Sequence, residues 1–243
     1  MTWDVKLGTW NLEPGTRNVE LILLDVDGTL VDTMRLDTVC FVQAMSDVFG
    51  ITGVDTEWGA YQETTDSAVL GYLVERANGR GPTPEQIATM KHRFLELLER
   101  SVQEDKSACR PIPGGPAFVR MLVDSPAFSV AIATGGWEES ARFKLERAGY
   151  GLSDVPLASS NDASSRTAIL TIAVERARAK TETRSFEGIT YIGDGEWDAR
   201  AASSLGYRFV RRGDPALSMF GRIGNVVRDF QDFDSVLRTI VDL

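Results

Sequence analysis

The chain has 243 residues, 43% of them apolar, with 26 Lys and Arg against 35 Asp and Glu for a net charge of −9. That length suits one domain carrying an insert, and the acidic balance argues against duplex DNA or an anionic membrane as the main partner. No apolar run approaches the ~18 residues of a membrane span, no signal peptide is visible at the start, and Cys40 and Cys109 form no metal-type pair, so a reduced, cytoplasmic setting is expected.

Residues 1–20 hold Trp3, Trp10 and a turn-like Pro14-Gly15, compatible with a short hairpin or with an arm lying on the core. Leu21 to Leu24 is an unbroken apolar run, the pattern of a strand buried on both faces. Asp25, Val26, Asp27, Gly28, Thr29 and Leu30 follow at once. Two carboxylates at the end of a buried strand cannot be core filler, because an unpaired buried charge costs several kcal/mol or more. They need a cation, a partner or a chemical task. Gly28 allows a tight turn that other residues resist.

Beyond that turn the spacing becomes helical. Leu36, Val39, Cys40, Ala44, Met45 and Val48 predict a helix from Met34 to Phe49, with Gly50 as its stop. Further helices are expected over Asp66–Arg76 and Pro84–Gln103, the last with an apolar stripe of Ile87, Met90, Phe94, Leu97 and Leu98. Asn78 to Pro82 reads as a loop between them. Ile112-Pro113-Gly114-Gly115 is a break, and alternating units follow it. Helices are predicted near Pro116–Val123, Glu138–Ala148, Arg166–Ala179 and Trp197–Leu205, with strands at Ser129–Ala133, Val155–Ala158, Ile189–Ile192 and Tyr207–Val210. An amphipathic segment at Phe233–Val241 closes the pattern. Strands alternating with helices imply an α/β fold with a parallel, Rossmann-like sheet. The division expected is a core of residues 1–32 and 113–243, with residues 33–112 inserted as an α-helical cap over the cleft.

Three more strand ends carry polar residues. Thr134-Gly135-Gly136 suits a phosphate bound before a helix N-terminus, or merely turns and caps the next helix. Asp194 and Asp198, in Gly193-Asp194-Gly195-Glu196-Trp197-Asp198, share one face if a helix starts there. Acidic residues also favour a helix start for stability alone. Arg166 opens the helix after a Ser/Asn/Asp-rich loop; a guanidinium there is either solvated or placed to grip phosphate oxygens.

Taken in this order, the four strand ends resemble those of the haloacid dehalogenase superfamily of phosphohydrolases. Asp25-Val26-Asp27-Gly28-Thr29-Leu30 is similar to its first motif, Thr134 to its second, and Gly193-Asp194 through Asp198 to its fourth. The insertion after the first motif resembles the family's helical C1-type cap, as in phosphoglycolate-phosphatase-like members. The third motif departs from the pattern: the usual lysine is replaced by Arg166, and Lys180, the nearby alternative, falls at the far end of the same helix. The likeness covers residues 20 to 243.

The resemblance implies a phosphatase acting on a small phosphorylated metabolite. Asp25 would be the nucleophile, forming an aspartyl-phosphate, and Asp27 the general acid and then base. Mg²⁺ would be held by Asp25, the backbone carbonyl of Asp27 and Asp194, with Asp198 binding it or supporting the site from behind. Thr134 and Arg166 would hold phosphate oxygens, with Gly135, Thr65 and Asp66 toward the substrate. Tyr61, Thr64, Thr65 and Asp66 lie together between two cap helices, and all four are equally compatible with an ordinary polar loop. The second aspartate argues against halide displacement, which needs no protonated leaving group. The absence of lysine between Thr33 and Met90 argues against a phosphonate-cleaving Schiff base. A phosphomutase of the same fold is the alternative, and a binding protein without catalysis a more distant one. His92 is expected at the surface and Arg211-Arg212 in solvent.

Overall fold

The computed structural model describes residues 19–183, 185–214 and 225–241. The expectations for the amino-terminal arm fall almost wholly outside these residues. Strand β1 (Glu20–Leu24) is followed by β2 (Val31–Asp32) and then by three helices, α1 (Met34–Phe49), α2 (Asp66–Asn78) and α3 (Pro84–Glu104). After them come β3 (Arg110–Pro111), α4 (Gly115–Asp124), β4 (Phe128–Ala133), α5 (Glu138–Arg147), β5 (Leu157–Ala158), α6 (Arg166–Thr181), β6 (Ile189–Gly193), α7 (Glu196–Leu205), β7 (Arg208–Arg212), β8 (Val226–Val227) and α8 (Phe233–Val241). No helix among the described residues is long and apolar enough to cross a membrane.

Six strands form one parallel sheet in the order β5-β4-β1-β6-β7-β8. β1 lies inside it, with Leu24 level with Ile132 on one side and Ile192 on the other. Its alternation explains why it carries no polar face. Ile22 and Leu24 pack with Phe118 and Leu122 of α4, Leu145 of α5 and Ile240 of α8. Leu21 and Leu23 pack with Ile169, Leu170 and Ala173 of α6 and Ala202 of α7. All four are fully buried, which is worth roughly 1.5–3 kcal/mol each relative to exposure. The result is an α/β sandwich with helices on both faces of the sheet.

The helical insert has an apolar core of its own, in which Phe41 and Met45 of α1, Val69 and Leu70 of α2, and Met90, Phe94 and Leu98 of α3 meet. α1 ends where Gly50 turns left-handed at φ 69°, and α3 begins with a capping box between Thr83 and Gln86. One residue of that core comes from elsewhere. Trp137, in the loop after β4, stacks on Phe41 at 5.9 Å and meets Phe94 edge-on at 5.5 Å. The chain enters and leaves the insert side by side, because β2 and β3 pair antiparallel as a two-residue ribbon.

Candidate active site

The chain runs from β1 outward to β4 and β5 on one side, then returns to β6 and β7 on the other. Open α/β sheets bind ligands at such a reversal, at the carboxyl ends of the strands. Asp25 is the first residue past β1, and its N–H still donates to the Ile192 carbonyl at 3.0 Å. Its buried carboxylate is therefore fixed at the sheet edge. Oδ1 accepts from Arg166 Nη1 at 3.3 Å, and Oδ2 from the Thr29 hydroxyl at 3.4 Å.

Arg166 opens α6, where the Ser165 hydroxyl accepts from the Ala168 N–H as N-cap. Its guanidinium turns inward and is only 8% exposed, against the surface expectation for an isolated arginine. The nitrogen that reaches Asp25 also lies 3.1 Å from Asp198 Oδ1 and 3.3 Å from the Tyr191 hydroxyl, while Nε is buried without a protein partner. Gly135 makes this possible, since a Cβ there would collide with the guanidinium. Thr134, beside it, gives its N–H to the Ala158 carbonyl. Its hydroxyl oxygen accepts from the Gly136 N–H at 3.1 Å, which leaves the hydroxyl proton to donate.

Asp194 follows β6, and Gly28 makes room for it. Gly28 has φ +75°, and a Cβ there would run into the Asp194 carboxylate. The glycine is thus required twice, for its backbone angle and for its emptiness. Asp25, Asp194 and Asp198 each bring a carboxylate oxygen within 4.8 Å of one another. An all-oxygen set of this kind fits a hard divalent cation. Asp198 is the least available of the three. It is fully buried, and its oxygens accept from Tyr191 at 2.9 Å, from the Gly195 N–H at 3.0 Å and from Arg166. Crowding of these acids is visible in their proton affinities. Burial and then the Asp198 charge raise Asp25 well above the usual carboxylate range, and the same two causes push Asp194 up to about 7.

Asp27 faces a different group. Both of its oxygens lie 2.6 Å from Nζ of Lys144, a fully buried lysine on α5, and Oδ1 also accepts from the Thr33 hydroxyl at 2.5 Å. Lys144 gives its third proton to Asp37 of α1 at 2.8 Å. Burial pulls the lysine's proton affinity down, but Asp27 and Asp37 outweigh it and leave it above the ordinary value. Burial and the Asp27 charge push Asp37 up to about 8.

One cleft gathers Asp25, Asp27, Thr134, Gly135, Arg166 and Asp194 from the sheet edge, with Met34, Asp37, Phe41, Trp58, Thr64 and Asp66 from the insert. Asp66 opens α2 and accepts from the Trp137 N–H at 2.9 Å; burial raises it to about 6. Thr65 corrects the sequence expectation. It is fully buried, its hydroxyl donates to the Ser164 carbonyl at 2.6 Å, and it caps α2, so it joins the insert to the loop before α6 and does not face the cleft. Thr64 is the threonine that does. Tyr61 is turned away as well, with its hydroxyl on the Asp55 carbonyl. Lys180 lies at the other end of α6, on the Asp154 carbonyl, and exposed His92 pairs with Glu96 at 3.2 Å.

Sequence reading missed Lys144, Asp37 and Tyr191. A lysine within a charged helix looks solvated, an aspartate in a first helical turn looks like a dipole partner, and a tyrosine in an apolar strand looks like core. Their partners lie 117, 107 and 7 positions away respectively, and no local spacing announces the first two.

The arrangement also has relatives. Residues 19–206 match the family model for haloacid dehalogenase-like hydrolases. Among solved structures the chain is similar to a hydrolase from Pseudomonas syringae, with a TM-score of 0.67 and 21% identity over 90% of this chain and 98% of that one. It is similar to CbbY from Rhodobacter sphaeroides in complex with phosphate, with a TM-score of 0.66 and 20% identity over 93% and 100%. A β-phosphoglucomutase from Clostridium difficile gives a TM-score of 0.67 and 15% identity over 92% and 98%. At these identities the structural likeness establishes the fold. No curated protein sequence matches the chain. With its first strand-end motif, its parallel sheet and the match over residues 19–206, the chain belongs to the haloacid dehalogenase-like hydrolase family.

Proposed function

We propose that the protein is a phosphatase that cleaves a phosphate monoester of a small metabolite, with Asp25 as nucleophile. The observation that carries this reading is one cleft in which a buried carboxylate, a hydroxyl, a guanidinium and a second carboxylate converge: Asp25, Thr134, Arg166 and Asp194. Phosphoryl transfer asks mainly for an in-line nucleophile and for neutralisation of charge on the transferred group.

An oxygen of Asp25 attacks phosphorus, the ester P–O bond breaks, and the leaving oxygen takes a proton from Asp27. The phosphoryl group then sits on Asp25. Water attacks it, giving its proton to Asp27 and releasing inorganic phosphate. The Thr134 hydroxyl and the free edge of the Arg166 guanidinium hold the non-bridging oxygens. Asp25, Asp194 and the Asp27 carbonyl would hold Mg²⁺, with Asp198 steadying Arg166 from behind. Bound there, the cation would supply charge neutralisation for two facing anions. Helices α1 to α3 act in this reading as a cap that excludes water from the cleft. The family's cytoplasmic, metabolite-directed members are the pattern expected, with no nucleic acid or membrane partner.

The test is phosphate release from a broad panel of monoesters with Mg²⁺, for the wild type beside Asp25→Asn. Turnover by the wild type, and a loss of at least about 10³-fold in the variant, is the expected result. No hydrolysis of any ester would overturn the reading, and an isomerised sugar phosphate in place of free phosphate would make the protein a mutase.

A further inference from the structure

We propose that Lys144 is a positioning residue, holding the Asp27 carboxylate in one orientation and tying that orientation to the helical insert through Asp37. The inference rests on the role given to Asp27 above and adds to it a residue outside the motifs of the sequence.

A lysine is almost never fully buried unless it is paired, and Lys144 is fully buried in the core face of α5. Its three donors are all spent on two carboxylates: Asp27 Oδ1 and Oδ2 at 2.6 Å each, and Asp37 Oδ1 at 2.8 Å. With the Thr33 hydroxyl on Oδ1, the Asp27 side chain is gripped from two sides and cannot turn without breaking both contacts. A purely structural ion pair would do as well with any carboxylate. Here both carboxylates line the cleft that holds Asp25, Asp27 from the sheet edge and Asp37 from the insert.

Position in the chain gives the second half. Thr33 and Asp37 lie at the start of α1, where the chain enters the insert. The carbonyl of Lys144 itself accepts from Cys109 Sγ at 3.5 Å, just before β3, where the chain leaves. Lys144 thus touches both crossings between core and insert. A shift of α1 relative to α5 changes the grip on Asp27 directly, and no relay through other side chains is required.

The role predicts a signature that a merely structural lysine lacks. If Lys144 aims the group that protonates the leaving oxygen, its loss matters most when the leaving group needs that proton. The experiment measures kcat/KM over a series of monoesters from ethyl phosphate through substituted phenyl phosphates to 4-nitrophenyl phosphate, whose leaving group departs unprotonated. Lys144→Met is expected to lose about 100-fold or more on the esters with the most basic leaving groups. On 4-nitrophenyl phosphate it should lose less than tenfold, and Lys144→Arg should recover part of the difference. Should Lys144→Met fail to fold, Lys144→Met/Asp37→Asn removes the ammonium and one carboxylate together, and the same steepened dependence is expected in a protein with normal circular dichroism. Equal losses on every ester, no loss at all, or a gain on the basic leaving groups would overturn the proposal. A wild type inactive on the whole series would instead overturn the phosphatase reading and take this proposal with it.

Discussion

Asp25 and Asp27 stand two positions apart after one strand, yet the two surroundings differ in kind. Around Asp25, Thr29 of the turn after β1 holds one oxygen and Arg166 of α6 the other, and Arg166 is itself held by Tyr191 from β6 and Asp198 from α7. Around Asp27, the partners straddle a seam: Lys144 from α5, but Thr33 and Asp37 from the edge of the insert. The first frame is closed within the close-packed sandwich, where side chains have little room to reorient. The second holds only while insert and core keep their relative position. The lesson is that one fold can offer a fixed carboxylate and an adjustable one from neighbouring residues by choosing where each counter-charge is anchored.

The contrast can be broken most forcefully at Arg166. Arg166→Met leaves Asp25 and Asp198 buried without their cation, and an expected loss of about 3–5 kcal/mol in urea unfolding follows from the broken pair. Phosphate release should fall by about 10²–10³-fold, while Arg166→Lys, which keeps charge but not the planar fork, should fall between. Wild-type turnover in Arg166→Met would remove the fixed frame from the chemistry. Gly135→Ala presses on the same guanidinium without removing it, and should cost about 1–3 kcal/mol together with a partial loss of turnover. An unchanged melting temperature and rate would show that Arg166 is free to move aside.

Acidity sharpens the comparison next. Asp194, at about 7, and Asp37, at about 8, both bind protons more tightly folded than unfolded, where a carboxyl titrates near 3.8. The folded state therefore holds more protons between about pH 4 and 8, so the metal-free protein should become less stable as pH rises through that window. A falling melting temperature from pH 5 to 8 by scanning fluorimetry is expected, with added Mg²⁺ restoring more at pH 8 than at pH 5. Asp194→Asn should flatten the slope and weaken the Mg²⁺ effect. A melting temperature that climbs across this range would contradict the crowding of these carboxyls. The smallest effect is expected far from both frames: His92→Ala removes only an exposed pair with Glu96 and should stay within about 0.5 kcal/mol of wild type by denaturant titration.

Much of the frame around Asp25 could be read from the chain. Apart from Tyr191, which lies within β6, its charged residues follow a strand or stand in the first turn of a helix, and strand ends are marked by a change from apolar to polar residues over one or two positions. The helices and strands stand within a few residues of their expected places for the same reason, and the hydrophobic runs are long enough to show a period. Besides Tyr191 and Asp37, two short pairings and one lysine escaped. The ribbon of β2 and β3 is two residues long on each side, too short for any alternation. β8 pairs with β7 through Val226 and Val227 alone, after a stretch with no periodic signal. Lys144 escaped because pairing across more than a hundred positions is a property of packing, and the charged residues around it in α5, Glu138, Glu139, Arg142 and Arg147, pointed to a solvated helix. Thr65 misled in the opposite direction, since the sequence shows a hydroxyl near the cleft but not that its proton is already given to Ser164.

Trp137 turns the seam into something that can be watched. Its loop belongs to the sheet, but its indole rests among the rings of the insert, 1% exposed, with the ring N–H on the Ser67 hydroxyl at 2.9 Å. Lifting α2 and α3 away must draw that ring out of a dry aromatic nest and wet it. Its light emission would then move toward the red, so with the other four tryptophans replaced any such opening would have an optical readout.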